Sequence, residues 1–272
     1  MPSVIPTFTS LGAGPTLLML HDITGSYRAF APQVESFANN GYRAVAWDMP
    51  GYGHSAPIEP YNFKGLAQSC ITLIEGILQP RDNGSLILLG HGMGGMVAQE
   101  VMARRPELVQ RLILCSTSAA AGPHGQDLAA REAWQKSYID ACLAPLNAGR
   151  SMQELALQAI PQMVGPGALP EGLSLAQHVM AQVPPATYRR ALEALVSFDR
   201  QATLQHIHVP TLLISGALDT AAPPEVMRQM ANTIIGSRFQ QMEGVGQLPQ
   251  LENPDTFDGL VLQFLADARR LQ

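Results

Sequence analysis

The chain has 272 residues, a formal net charge of −5 at pH 7, and a composition that is 46% hydrophobic and 14% charged. This composition fits a compact protein with an ample core, built as one α/β domain or as one domain with a large insertion. The negative charge argues against nucleic acid as a partner, because nucleic-acid binding needs clustered basic surface.

Cysteine spacing and hydropathy indicate the cellular compartment of the protein and whether it spans a membrane. Cys70, Cys115 and Cys142 are widely spaced and lack the CxxC pattern, so we expect reduced thiols in a cytoplasmic protein and no metal site. No run of about twenty apolar residues occurs, and we expect no membrane span. The N-terminus lacks a basic region followed by an apolar stretch, so no signal peptide is expected. No pattern indicates a cofactor, and none indicates an oligomeric state.

Short apolar runs alternate with helical patterns along most of the chain. Runs this apolar are typical of parallel strands covered on both faces. The predicted strands are residues 16–20, 42–47, 86–89, 111–115, 211–215 and 238–242, and the predicted helices lie near residues 27–39, 63–78, 94–105, 224–235 and 254–271. This alternation predicts an α/β protein with a doubly wound, mostly parallel sheet.

The alternation stops between residues 119 and 206, where helical patterns are punctuated by proline and glycine. We therefore predict a core formed by residues 1–118 and 207–272 and a helical cap formed by residues 119–206. Ligands of open α/β sheets bind at the carboxyl ends of the strands, so a pocket is expected between cap and core. Trp134 and Tyr138 are candidates to line it; the alternative is that they pack within the cap.

Residues 86–99 combine an apolar run, a glycine-rich turn and the start of a helical pattern, L-I-L-L-G-H-G-M-G-G-M-V-A-Q. A strand that turns sharply into a helix needs residues without a Cβ where the two backbones crowd. The stretch resembles the nucleophile elbow of the α/β-hydrolases, whose pattern is G-x-S-x-G.

Four further segments resemble α/β-hydrolase motifs, in the order of that family. Residues 18–26 resemble the strand and oxyanion loop, and residues 47–55 resemble the loop after the next strand. Residues 215–223 resemble the segment that supplies the catalytic acid, and residues 244–254 the segment that supplies the catalytic histidine. The resemblance covers essentially the whole chain. It implies an α/β-hydrolase fold with a helical cap, similar to enol-lactone, ester and carbon–carbon bond hydrolases that act on small molecules.

The catalytic positions depart from the family pattern. Gly92 stands where the family carries its serine, and Gln247 stands where it carries its histidine. Asp219 keeps the position of the acid. An amide cannot accept the serine proton near neutral pH, and a triad acts as a unit. The resemblance therefore implies catalytic positions at Gly92, Asp219 and Gln247 without the means for nucleophilic acyl transfer. Because its amide can donate, Gln247 is predicted to hydrogen-bond Asp219.

Asp22 stands where the oxyanion loop normally has glycine. A carboxylate there would oppose developing negative charge, so it does not suit acyl transfer. One interpretation is that Asp22 donates or accepts protons in a partly apolar pocket. The alternative is a loop aspartate that caps the helix starting near Ser26.

Four neighbouring residues are candidates for contact with a substrate. The backbone donors around Ile23 and Met93 can polarise a carbonyl group without any serine. His21 and His91 flank the predicted pocket, but both positions usually carry scaffold histidines in the family, which is the alternative for each.

Three functional hypotheses follow from these residues. The first is an enzyme with non-serine chemistry, a lyase, isomerase, decarboxylase or water-addition catalyst for a small, partly apolar carbonyl compound. The second is a ligand-binding protein that has lost catalysis. The third is an ordinary ester or enol-lactone hydrolase inactivated by engineered changes at Gly92 and Gln247, against which Asp22 argues because a trap would not need it.

Overall fold

The fold is an α/β architecture, as the sequence predicts, and it is built on a sheet of seven strands, one more than the six predicted. A computed structural model describes residues 5–78, 86–122 and 128–269. The strands are β1 (Phe8–Leu11), β2 (Thr16–Leu20), β3 (Arg43–Trp47), β4 (Leu86–His91), β5 (Val109–Cys115), β6 (Thr211–Gly216) and β7 (Arg238–Met242). Their order in the sheet is β1-β3-β2-β4-β5-β6-β7. All pairs are parallel except β1 with β3.

The central strands are buried on both faces, which explains their continuous apolar runs. Successive residues of β2 alternate between two cores: Leu18 and Leu20 pack in one, and Leu17 and Met19 pack in the other. Strand β1 was missed by the sequence analysis. Its four residues are half-buried or exposed at the sheet edge, so it lacks the apolar run that marks the central strands.

Six helices accompany the described strands of the core. They are α1 (Ala31–Asn39), α2 (Phe63–Leu73), α3 (Met93–Arg104), α8 (Pro224–Thr233), α9 (Pro249–Glu252) and α10 (Pro254–Arg269). Helices α2, α3 and α8 contribute to one core, and α1 and α10 to the other. The helix predicted near residues 27–39 begins as a 3₁₀ turn, and the one predicted at 63–78 ends as a π-turn. The predicted end of the last helix, at residue 271, lies outside the described residues.

In the described residues between β5 and β6, the region predicted as a cap, there are four α-helices. They are α4 (Leu128–Asn147), α5 (Met152–Met163), α6 (Pro170–Ala181) and α7 (Pro185–Leu195), and we call them the helical insertion. The two segments that connect the insertion to the core run side by side, joined by an isolated antiparallel β-bridge between Ala120 and Asp199. Thr187 ties the insertion to the core by donating to the carbonyl of Gly51 at 2.9 Å. Within the described ranges, no helix is long and apolar enough to cross a membrane.

Candidate functional site

The turn between β4 and α3 is so tight that it requires glycine. A Cβ on Gly90 would lie 2.5 Å from the carbonyl oxygen of Gly94, and one on Gly94 would lie 2.1 Å from that of Leu20. Gly92 sits at the apex with φ +53° and ψ −121°. Residues with a Cβ adopt such a positive φ only at a cost in conformational energy. The backbone at Gly92 is therefore shaped as the sequence pattern indicates.

The Asp22 side chain occupies the space that a side chain on residue 92 would need. Asp22 follows β2, which pairs directly with β4, and it is only 3% exposed. A Cβ on Gly92 would lie 2.1 Å from Asp22 Oδ1 and 2.3 Å from Cγ. Oδ1 accepts a hydrogen bond from the Met93 backbone N–H at 2.7 Å. This N–H is the first of α3, where the helix dipole favours a negative charge.

The other Asp22 oxygen is held far more weakly. From the described residues, Oδ2 receives only a long contact of 3.5 Å from the Thr24 hydroxyl. Asp22 does not cap the turn that starts after Ser26, because Ser26 performs that role itself by accepting from the Arg28 N–H. Asp22 is therefore not the cap of that turn. Its carboxylate lies at the elbow instead, bonded to the Met93 N–H.

His21 is a buried scaffold residue behind the elbow. Its Nε2 accepts from the Met49 N–H at 2.9 Å, so the ring proton lies on Nδ1, which donates to the Asp22 carbonyl at 2.7 Å. Burial lowers the pKa of the imidazole, which keeps it neutral. Both ring nitrogens are used by backbone groups. A cavity lies between the strand ends and the helical insertion, and His21 is not part of its wall. Ile23, by contrast, lines the cavity.

His91 also uses both ring nitrogens inside the protein. Its Nε2 lies 2.7 Å from the Gln247 carbonyl oxygen, and its Nδ1 lies 3.3 Å from the amide nitrogen of Gln250. The ring is buried and lies outside the wall of the large cavity. His91 therefore connects the elbow to the loop that carries Gln247.

Asp219 is satisfied on one oxygen only. Its Oδ1 accepts from the N–H groups of Ala221 and Ala222, each at 2.9 Å. Its Oδ2 is buried without a hydrogen-bond partner among the described residues. Burial raises the pKa of this carboxyl group, an effect that the two N–H groups and the nearby Ser116 hydroxyl partly offset.

The predicted hydrogen bond between Gln247 and Asp219 is wrong. The Gln247 backbone is fixed on both sides: its N–H donates to the Met163 carbonyl at 2.7 Å, and its carbonyl lies 2.7 Å from His91 Nε2. The neighbouring N–H groups at 246 and 248 bind the buried carboxylate of Glu252. Gln247 lines the cavity wall, and Asp219 Oδ2 has no hydrogen-bond partner within the described residues.

A cavity of about 400 Å³ lies between the strand ends and the helical insertion. Its wall includes these residues singled out from the sequence: Asp22, Ile23, Gly92, Met93, Trp134, Tyr138 and Gln247. Trp134 and Tyr138 of α4 stack with ring centroids 5.3 Å apart, which gives the wall an aromatic face.

Ser116 is a wall residue that the sequence analysis did not assign to the site. It directly follows β5 and has a φ of +43°, which is unusual for a residue with a Cβ. The available signal was its position at the carboxyl end of a strand, where ligands of such sheets bind. Among the described residues, no group of three or more His, Cys, Asp or Glu side chains is placed to hold a metal ion.

The chain belongs to the α/β-hydrolase fold family, since residues 15–254 match that family. It is 26% identical to pimeloyl-[acyl-carrier protein] methyl ester esterase of Nitrosospira multiformis, over 94% of this chain and 96% of that protein. It is 25% identical to 3-oxoadipate enol-lactonase 2 of Acinetobacter baylyi, over 91% and 87%. A hydrolase from Pseudomonas aeruginosa has a similar structure, with a TM-score of 0.80, 25% identity and coverage of 95% and 93%. Relatives of the chain in this family thus include an esterase and an enol-lactonase.

Proposed function

We propose that this protein is a small-molecule enzyme that transfers protons with Asp22 and forms no acyl-serine intermediate. The observation that carries the proposal is the placement of the Asp22 carboxylate in the space beside Gly92, bonded to Met93 N–H at 2.7 Å. The substrate is a small, partly apolar carbonyl compound bound in the 400 Å³ cavity.

Three features oppose ordinary acyl transfer. Gly92 has no side chain to attack a carbonyl carbon, and the amide of Gln247 is not a base. In addition, the Met93 N–H, which would stabilise an oxyanion, already binds a carboxylate. A developing oxyanion would have to displace Asp22 from that N–H and then meet its negative charge.

The same contacts suit proton transfer. The bond from Met93 fixes Oδ1, so Oδ2 is the oxygen that can exchange a proton with a ligand. In an isomerase or lyase, Asp22 removes a proton from the carbon next to a substrate carbonyl and gives it back to another substrate atom or to the leaving group. In a decarboxylase, protonated Asp22 gives its proton to the enolate that the loss of CO₂ leaves behind. The exclusion of water around this 3% exposed group strengthens its electrostatic interactions with substrate.

The test is the isosteric substitution Asp22→Asn. Small carbonyl compounds that raise the melting temperature would first be incubated with the protein, and the products identified. The amide oxygen of the new side chain can still accept from Met93 N–H, so we expect binding within a few-fold of the original. Turnover should fall by about 10²-fold or more.

Thr24→Val is the matched control, because it removes only the 3.5 Å contact to Oδ2. We expect it to leave turnover within a few-fold of the original. Full activity in the Asp22→Asn variant would remove Asp22 from the mechanism.

A ligand-binding protein without catalysis is the second candidate, favoured by the satisfied bond between Asp22 Oδ1 and Met93. It predicts that every compound that stabilises the protein is recovered unchanged. The hypothesis of an engineered trap has less support, because Gly92 and Asp22 fit each other: serine at 92 has no room while Asp22 holds this position.

A further inference from the structure

Two buried oxygens lie unpartnered at the carboxyl ends of neighbouring strands. Ser116 Oγ and Asp219 Oδ2 have no hydrogen bond of normal geometry within the part of the chain that the structure describes, although the Ser116 hydroxyl lies close enough to the Asp219 carboxyl group to help lower its pKa. Ser116 is 2% exposed and Asp219 4% exposed. Buried polar atoms are nearly always paired, so an unpaired set beside a cavity calls for an explanation.

The backbone holds these two groups beside the cavity. Strands β5 and β6 pair through Cys115 and Ile214, and the Ser116 N–H donates to the Ile214 carbonyl at 2.9 Å. The cavity wall includes Ser116 and the residues that directly follow Asp219, from Thr220 to Ala222. Ser116 keeps its uncommon positive φ of +43°, a strain that tends to occur at functional sites.

We propose that Ser116 and Asp219 form a subsite for a hydroxyl group of the ligand. The ligand hydroxyl donates to Asp219 Oδ2 and accepts from the Ser116 hydroxyl, which satisfies both unpaired atoms. The proposal rests on the proposed function and narrows its substrate class to hydroxylated carbonyl compounds. The stacked rings of Trp134 and Tyr138 in the same wall favour a flat or aromatic body.

The first measurement compares matched probes by calorimetry on the full chain. Acetophenone is compared with its 2-, 3- and 4-hydroxy derivatives and with the corresponding methoxy ethers, which cannot donate. At least one hydroxy isomer should bind about ten- to a hundred-fold more tightly than acetophenone, the range expected for a hydrogen bond to a charged group. Its methoxy ether should show no gain.

Asp219→Asn sharpens the test, because the bonds from Ala221 and Ala222 hold an acceptor at the Oδ1 position. They orient the substituted amide with its oxygen there and its NH₂ group at the unpaired position. The variant should therefore lose the preference for the hydroxy isomer and gain one for the methoxy ether. Ser116→Ala should weaken the hydroxy isomer by a smaller factor.

Asp258→Asn is the control, since it changes another buried carboxyl group, one that binds Gln33 outside the cavity wall. It should keep the original preference. Equal binding of hydroxy and methoxy probes, no binding of any hydroxy probe at millimolar concentration, or an unchanged preference in folded Asp219→Asn would each overturn the subsite. Because this readout is binding, its failure is separate from a failure of Asp22→Asn to lose turnover.

Discussion

Two buried carboxyl groups, Asp22 and Asp219, lie near the same cavity but are treated differently by the fold. Asp22 fills space left by Gly92 and receives a 2.7 Å bond from the first N–H of α3. Asp219 receives two N–H bonds on one oxygen and none on the other. Both carboxyls are nearly excluded from water, so the difference lies in what the surrounding backbone offers.

The two sites differ in how the protein satisfies the carboxyl oxygens that face them. At Asp22 the absent side chain at 92 and the helix N-terminus act together, so one oxygen is bound without any ligand. At Asp219 the backbone of the loop opposite is held by other contacts, and the Gln247 side chain makes no hydrogen bond to Asp219 Oδ2. A buried group with an unpaired oxygen costs stability, and such costs are often kept where a ligand binds. The following predictions test that reading in order of expected effect.

Glu252→Ala should have the largest effect, because the loop that carries Gln247 depends on this carboxylate. Glu252 is buried and accepts from the N–H groups of Gly165, Gly246 and Leu248. Losing these bonds should lower the free energy of unfolding by about 3–5 kcal/mol, measured by urea denaturation. Removal of exposed Glu243 is the control, with an expected change within about 0.5 kcal/mol. A cost below about 1 kcal/mol for Glu252→Ala, by the range for one hydrogen bond, would mean that something else holds the loop.

Gly92→Ser should lower stability by about 2–4 kcal/mol, from overpacking against Asp22 and from the positive φ. Gly236→Ser isolates the second cause, since Gly236 has φ +76° but open space around it, and should cost about 1 kcal/mol. Adding Asp22→Gly to Gly92→Ser should recover most of the difference. Strictly additive costs in this double-mutant cycle would show that the two residues do not compete for one space.

Asp219→Asn should change how stability depends on pH. The pKa of Asp219 is raised, chiefly by burial, so the folded state holds this proton more tightly than the unfolded state. The charged group therefore opposes folding above its folded pKa, and this cost fades as pH falls toward its ordinary pKa of about 3.9. We expect the variant to be more stable by up to about 1 kcal/mol at pH 7 and to lose that advantage near pH 4. Glu193→Gln, at an exposed position, should show no such advantage. If Asp219→Asn is less stable than the original protein at pH 7, Asp219 Oδ2 has a hydrogen-bond partner that the structure does not show.

Gln247→Leu should have the smallest effect on folding. Its side chain lines the cavity and does not reach Asp219 Oδ2, so we expect a change in unfolding free energy within about 0.5 kcal/mol. Thermal and urea denaturation of the two proteins would measure it. A loss above about 1 kcal/mol, the usual value of one hydrogen bond, would indicate that Gln247 pairs with Asp219 in solution.

The frame of the site could be predicted from local sequence signals. Continuous apolar runs specify buried parallel strands, and the glycines of residues 90–95 specify the sharp turn, because both signals are local. The resemblance to the family, which rests on short motifs, predicts Gly92, Asp22, Asp219 and Gln247 at the catalytic positions. It could not find β1, whose edge position leaves no continuous apolar signal.

Contacts between the side chains at those positions depend on tertiary packing and could not be predicted from the sequence. Asp22 and Met93 are 71 residues apart, and their bond depends on the pairing of β2 with β4 and on the space left at Gly92. Gln247 was expected to donate to Asp219 because it stands where the family has its histidine and its amide can donate. Its backbone is instead fixed by Met163, His91 and the bonds to Glu252. Side-chain direction follows from such long-range packing and hydrogen bonding, which residue type and spacing do not encode.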